Sequence, residues 1–187
     1  MTKTNEVGFI GGMEGVVISK FENGFKAGVK DANEKAKISV QYANSFSDQA
    51  LGKSIANQMI KNGVDVVFPA AGAVGTGAIE SVKENGKMAI GVDRDQNSLA
   101  PDNVITSALK KVNVGVYDTV KELVDGKLKG GEEKVYGLKE DGVGIPESTS
   151  KLVDKEVLDY VNGIVEKIKS GEIKVPATKE EYDAMQK

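Results

Sequence analysis

Three residues at the ends of apolar runs carry the chemistry for holding a small polar molecule. Asp93 opens the cluster Asp93-Arg94-Asp95, which abruptly ends the apolar segment Ala89-Ile90-Gly91-Val92. A carboxylate can only accept hydrogen bonds, so it suits sugar hydroxyls, although a charged cluster of this kind also forms weak surface ion pairs. Lys110 follows the next apolar run and can donate to the same ligand. Phe68 closes a third run just before Pro69, where an aromatic can stack on a planar ring or pack in the core. A stacking face, a hydroxyl acceptor and a cation together make the minimal set for a nucleoside. A fourth feature, Gly72-x-x-Gly75-x-Gly77, follows a strand and opens a helix, where free N–H groups and the helix dipole favour negative partners. Its spacing is not the dinucleotide fingerprint, and no phosphate-loop lysine follows. A tight strand-to-helix turn explains these glycines equally well, as it does Gly11-Gly12-x-x-Gly15.

The composition narrows the chemistry further. Among 187 residues there is no Cys and no His, which removes disulfides, thiol nucleophiles, Cys or His metal sites and any Ser-His-Asp triad. No acidic loop has the ligand spacing for a hard cation, so neither a metal nor a cofactor is expected. No nucleophile stands beside a base, and no carboxylate pair is spaced for glycoside cleavage. The expectation is therefore binding, with no catalytic residue. Net charge is -3 and the pI is about 5.2, without the basic patch that nucleic acid requires. The polar start Met1-Thr2-Lys3-Thr4-Asn5-Glu6 has no apolar signal core, and no apolar run approaches the ~20 residues of a spanning helix. As written, the chain reads as soluble and leaderless.

The elements that position these residues follow a regular rhythm. Val7-Gly8-Phe9-Ile10 is a buried strand closed by Gly11-Gly12. The next segment is a helix whose stripe is Val17, Phe21, Phe25 and Val29, with Gly24 and Gly28 in a second row that would let it approach a sheet closely. Ile38 to Tyr42 alternates as a strand. Ser45 to Ser47 offer N-cap oxygens to a second helix carrying Leu51, Ile55 and Met59, which Asn62-Gly63 ends. Val64 to Phe68 is the third strand, halted by Pro69, and the turn Ala70 to Gly77 leads into a helix with Ile79 and Val82. Met88 to Val92 is the fourth strand. Strand and helix thus alternate three times before the charged rim, which argues for a parallel sheet flanked by helices in an α/β fold. Open sheets of this kind bind ligands at the carboxyl ends of their strands.

After the rim the rhythm loosens. Val104 to Leu109 is a fifth strand, Val112 to Val124 a helix, and Val135-Tyr136-Gly137-Leu138 a lone short strand. A long helix is predicted from about Lys151 to Lys169 and a short one from Lys179 to Met185. The irregularity suggests a different sheet for this half.

The sequence resembles the basic membrane protein family, the substrate-binding lipoproteins of ABC transporters that include purine nucleoside receptors. The residues carrying the likeness are Val7-Gly8-Phe9-Ile10-Gly11-Gly12-Met13-Glu14, Phe21-Glu22-Asn23-Gly24-Phe25-Lys26-Ala27-Gly28 and Ala89-Ile90-Gly91-Val92-Asp93-Arg94-Asp95-Gln96. Ser45-Phe46-Ser47-Asp48 and Tyr136-Gly137-Leu138-Lys139 also fit, and the likeness runs from about Val7 to Pro176. It implies one lobe of a type I periplasmic-binding-protein fold together with segments of the other lobe. Residues 1–111 would form the ligand-binding lobe, and residues 112–187 the returning segments that complete a first lobe. It also implies that Phe68 stacks on the base, Asp93 holds the ribose, Lys110 joins it and Gly72 lines the pocket. Family members carry a signal peptide, a lipidated cysteine and most of a first lobe ahead of the position of Val7. A chain lacking these would hold a half-site of weakened affinity, and its exposed apolar faces would invite a homodimer.

The expected function is therefore that of a nucleoside-binding component of an ABC transporter, partnered by a permease and lipid-anchored outside the cytoplasm in the full-length parent. Two other readings stand beside it: an intracellular sensor or regulator reusing the same lobe, and a small nucleotide-binding enzyme using the Gly72 to Gly77 turn.

Overall fold

The computed structural model describes residues 1–186. One six-stranded sheet runs in the order β2-β1-β3-β4-β5-β6. Its strands are β1 (Glu6–Gly11), β2 (Lys37–Tyr42), β3 (Val66–Ala70), β4 (Met88–Asp93), β5 (Val104–Lys110) and β6 (Val143–Gly144). The first five are parallel, and β6 adds antiparallel to the edge of β5. The helices are α1 (Val16–Ala32), α2 (Gln49–Lys61), α3 (Ala73–Glu84), α4 (Val112–Val124), α5 (Lys155–Ser170) and α6 (Lys179–Met185).

The period-two alternation of the strands divides the core between two faces. Ile10, Val67, Ala89 and Val104 meet Ile55, Ala56 and Met59 of α2 and Val74, Ala78, Ile79 and Val82 of α3. On the other face Val7, Val66 and Ile105 meet Phe25 and Val29 of α1, Val153, and Leu158 of α5. Toward the carboxyl ends of the strands this second face becomes aromatic. Phe9 and Phe68 lie edge-on with ring centroids 5.7 Å apart, and Phe21 and Phe25 cover Phe68 at 6.2 and 5.4 Å.

The sheet opens where ligands are expected to sit. In the order β2-β1-β3-β4-β5 the chain reverses direction across the sheet between β1 and β3, the switch point of a doubly wound fold. On its other side β3 pairs with β4 only at Val66–Met88 and Val67–Ala89. That divergence corrects one expectation. Pro69 does not halt β3 but lies inside it, in register with Ile10 of β1. A residue with no N–H is tolerated because the ladder to β4 has already ended.

Other local predictions also shift. The cap of α2 is Asp48, whose carboxylate accepts the Leu51 N–H at 2.9 Å, whereas Ser45 Oγ accepts the amides of Ser47 and Asp48 in the preceding turn. Gly24 and Gly28 do not face the sheet: a Cβ on Gly24 would just touch Val175, and one on Gly28 would meet nothing. Val135 to Leu138 is not a strand. The chain there turns back on itself, with the Gly142 N–H donating to the Gly137 carbonyl at 2.9 Å, and the strand forms at Val143–Gly144 in the same sheet rather than in another. Helix α5 starts at Lys155, after a short 3-10 segment at Glu147–Lys151.

Candidate functional site

At the carboxyl ends of β3, β4 and β5 lies a cleft of about 240 Å³. Helix α1 contributes Val17, Ile18 and Phe21, and the β2–α2 loop contributes Phe46. The β3–α3 turn provides Ala70, Ala71 and Gly72, and the sheet rim provides Val92, Asp93 and Lys110. Larger hollows of about 580 and 480 Å³ lie along α4 and Tyr136. The first is walled by surface ion pairs such as Lys121–Asp125, and the second by exposed valines of α4 with Tyr136 and the residues Lys110 and Lys111 at the end of β5; neither has an acidic side chain from a strand end.

Three of the four sequence-predicted site residues meet in the small cleft. Asp93 and Lys110 form an ion pair of 2.8 Å across the ends of adjacent parallel strands. A register shift between Ala89 and Ile90 sets Asp93 opposite Leu109 and so beside Lys110. The Lys110 ammonium also lies 5.9 Å from the centre of the Phe21 ring, within cation–π range. Gly72 caps α3 with φ 58°, and a Cβ there would approach the Phe46 carbonyl oxygen to 2.8 Å, so both backbone strain and crowding call for glycine.

Phe68 is the exception. It is 5% exposed, its ring is enclosed by Phe9, Phe21 and Phe25, and it does not line the cleft. Its position in β3 points it toward α1, beneath Phe21, so it backs the site instead of facing it. The aromatic surfaces that reach the cleft are Phe21, half buried, and Phe46, 43% exposed. Sequence reasoning placed Phe21 in a helix stripe and gave Phe46 no role. The available signal was an aromatic between two serines in a polar loop directly after a strand. The paired glycines at the end of β1 fit the same picture: a Cβ on Gly11 would overlap the Tyr42 ring, and one on Gly12 the Phe46 ring.

The glycine turn offers less to an anion than its position suggests. The Ala73 N–H donates to the Phe46 carbonyl at 2.7 Å and the Gly75 N–H to the Gly72 carbonyl at 3.0 Å. Gly77 serves packing, since a Cβ there would overlap the Gln49 carbonyl of α2. Beside the cleft, the Tyr42 hydroxyl donates to Glu22 Oε2 at 2.6 Å. Burial first, and then this bond, push the hydroxyl well above its ordinary range, so it stays protonated. Among the described residues no three acidic side chains gather to hold a metal ion, and no helix is long and apolar enough to cross a membrane.

Comparison with known proteins gives a consistent picture. A family model described as "ABC transporter substrate-binding protein PnrA-like" matches residues 1–179. Basic membrane protein D of Borreliella burgdorferi is 44% identical over 186 residues, covering 97% of this chain and 54% of that protein. An ABC transporter solute-binding protein from Aeropyrum pernix superposes with a TM-score of 0.83 at 28% identity, over 97% of this chain and 60% of the other. A protein from Bacillus halodurans described as a transcriptional activator of the comK gene superposes with a TM-score of 0.79 at 26% identity, over 89% of this chain and 57% of the other. The chain spans about half the length of the curated relatives it matches.

Proposed function

The chain belongs to the PnrA-like Bmp family of ABC transporter substrate-binding proteins, and on that premise we propose that its strand-end cleft is one wall of a nucleoside-binding site. The observation that carries this reading is the Asp93–Lys110 pair, 2.8 Å apart, at the rim of a cleft whose walls include Phe21 and Phe46. Asp93 accepts from ribose hydroxyls, Lys110 donates to the same sugar, and Phe21 or Phe46 offers a ring face to the base, with Phe68 supporting Phe21 from beneath. Gly72 brings main chain to the ligand without a side chain in the way. A cleft of about 240 Å³ is smaller than the roughly 300–1,000 Å³ of a complete ligand site, which fits one wall of an interlobe cleft. Residues 1–111 are the ligand-binding lobe on this reading, and residues 112–187 the returning segments. The role is delivery of the ligand to a transporter permease, without catalysis, in a parent lipid-anchored outside the cytoplasm.

The test is calorimetric titration with inosine, guanosine and adenosine of the chain joined to the first lobe of a relative. Saturable binding that Asp93→Ala weakens at least tenfold supports the site, and affinity unchanged by Asp93→Ala removes it.

The likeness to the comK activator supports a second reading, a ligand-sensing regulator built on the same lobe. It predicts the same cleft chemistry but no capture by a permease, so a pull-down on the reconstituted transporter separates the two.

A further inference from the structure

Asp93 sits in a backbone conformation that side chains rarely adopt. Its φ is 66°, and the next amide, Arg94 N–H, donates to the Val92 carbonyl at 2.8 Å. A bond from residue i+2 back to residue i around a positive φ is the rare, strained form of the γ-turn. Such strain persists only where the surroundings over-determine it. Here a buried amide supplies the lock. The side-chain oxygen of Gln96 accepts the Val92 N–H at 2.8 Å, and the Gln96 N–H donates to Ser107 Oγ of β5 at 3.1 Å. Gln96 and Ser107 are 9% and 0% exposed. Gly91 leaves the space they fill, since a Cβ there would overlap Ser107 Oγ and lie 2.9 Å from the Gln96 Cβ. Next along the chain, Asn97 fastens the loop from behind, its amide donating to the Pro101 and Val104 carbonyls at 3.2 and 3.1 Å.

We propose that Gln96 is a positioning residue: by holding the Val92 amide it keeps Asp93 in the strained turn that presents its carboxylate to the cleft beside Lys110. Gln96 itself is absent from the cleft wall. The consequence for binding rests on the nucleoside reading, whereas the consequence for Asp93 geometry does not. Removing the acceptor frees the turn to relax to an ordinary extended backbone, which swings the carboxylate away from Lys110. If relaxation recovers the usual cost of such a conformation, the binding-competent fraction and the apparent affinity fall about ten- to hundred-fold.

The experiment compares the wild-type chain with Gln96→Met, which keeps length and loses the acceptor, by NMR. In the wild type a coupling across the hydrogen bond from the Val92 amide to the Gln96 side-chain carbonyl carbon is expected, together with a one-bond Cα–Hα coupling at Asp93 typical of left-handed backbone. In Gln96→Met the Asp93 coupling moves to the extended value and the Val92 and Arg94 amides exchange faster, while the amides of β1 and β3 keep their protection. A left-handed Asp93 in Gln96→Met overturns the proposal. So does a wild type without the cross-bond coupling, a measurement that remains decisive should the variant not fold. Inosine titration of the two-lobed protein, the chain joined to the first lobe of a relative, followed at the Asp93 and Lys110 resonances, is the separate arm. A wild type that ignores inosine while the turn relaxes on cue sinks the nucleoside reading and leaves the positioning role in place. Binding that is weakened by Gln96→Met, yet not further weakened by it in an Asp93→Ala background, shows that Gln96 acts through Asp93.

Discussion

Asp93 Oδ1 and Lys110 Nζ lie 2.8 Å apart across the ends of β4 and β5, yet both side chains remain about half exposed. A pair that open to water is worth about 0–1 kcal/mol of stability, and Asp93 carries the strain of a positive φ. Fold stability therefore gives little reason for an aspartate here. Asp93→Gly, which removes both the pair and the strain, is expected to leave stability unchanged or raise it by up to about 1 kcal/mol while abolishing the ligand response. Urea denaturation read beside nucleoside titration checks both. A loss of more than about 1 kcal/mol on urea denaturation would recast the residue as structural.

Gly52 and Gly77 hold α2 and α3 together. A Cβ on Gly52 would overlap the Val74 carbonyl and one on Gly77 the Gln49 carbonyl; both partners are main chain and cannot swing aside. Gly52→Ala and Gly77→Ala should each cost about 1–3 kcal/mol. Gly28→Ala, on an exposed face of α1 with nothing near its Cβ, should instead stabilise by about 0.5–1 kcal/mol through helix propensity and a less flexible unfolded chain. Thermal melts of the three variants give opposite signs if the packing is as described.

Asp65 ties down the N-terminal segment from the far end of the sheet. It is 5% exposed and accepts from the Thr2 hydroxyl at 2.6 Å and from the Lys3 and Thr4 amides at 2.6 and 3.0 Å. Burial pushes its carboxyl up, but these bonds together outweigh burial and hold it below the ordinary carboxylate range. The folded state thus prefers the ionised form, so the stabilisation is fully present above the unfolded value of about 3.9 and is lost as pH falls through the lower folded value. Asp65→Asn turns an acceptor into a mixed group facing donors. It should cost about 1–3 kcal/mol at pH 7 and progressively less below about pH 4. Denaturation midpoints of wild type and variant at pH 7 and pH 3 should converge in acid, and a constant gap would rule out this linkage.

The sequence revealed the first five strands and helices α1 to α4 because an apolar face imprints a period of two or 3.6, even on α4, where that face is exposed. It also revealed Asp93, Lys110 and Gly72, since charge or glycine at the end of an apolar run stands out. Phe68 shows where that reasoning stops. An aromatic at a strand end faces either the cleft or the core, and the choice depended on its alternation with Val67 and on Phe21 crossing above it. Phe46 lies in a polar loop with no period to mark it. Gln96 belongs to a stretch that carries the family likeness, yet no period marks it as a buried amide. Val135 to Leu138 looked like a strand because it is apolar, but β6 occupies the sheet edge beside β5 and Val135 stays exposed.

Helix α4 has no buried residue although it is strongly apolar, and Val112, Val116, Val120 and Val124 follow one another at i, i+4 spacing, all exposed. A continuous apolar row of this kind on a free chain favours association. The 187-residue chain is therefore expected to self-associate as its concentration rises, and Val116→Gln with Val120→Gln to weaken that association. Because neither side chain is buried, and Gln is at least as good a helix former as Val, the double variant should change monomer stability by less than about 0.5 kcal/mol. Sedimentation velocity across a concentration series, with denaturation of the dilute protein, separates the two quantities. In a longer protein of the relatives' full length, a second lobe covering this face would reverse the balance: the same substitutions would then cost stability and leave the oligomeric state alone.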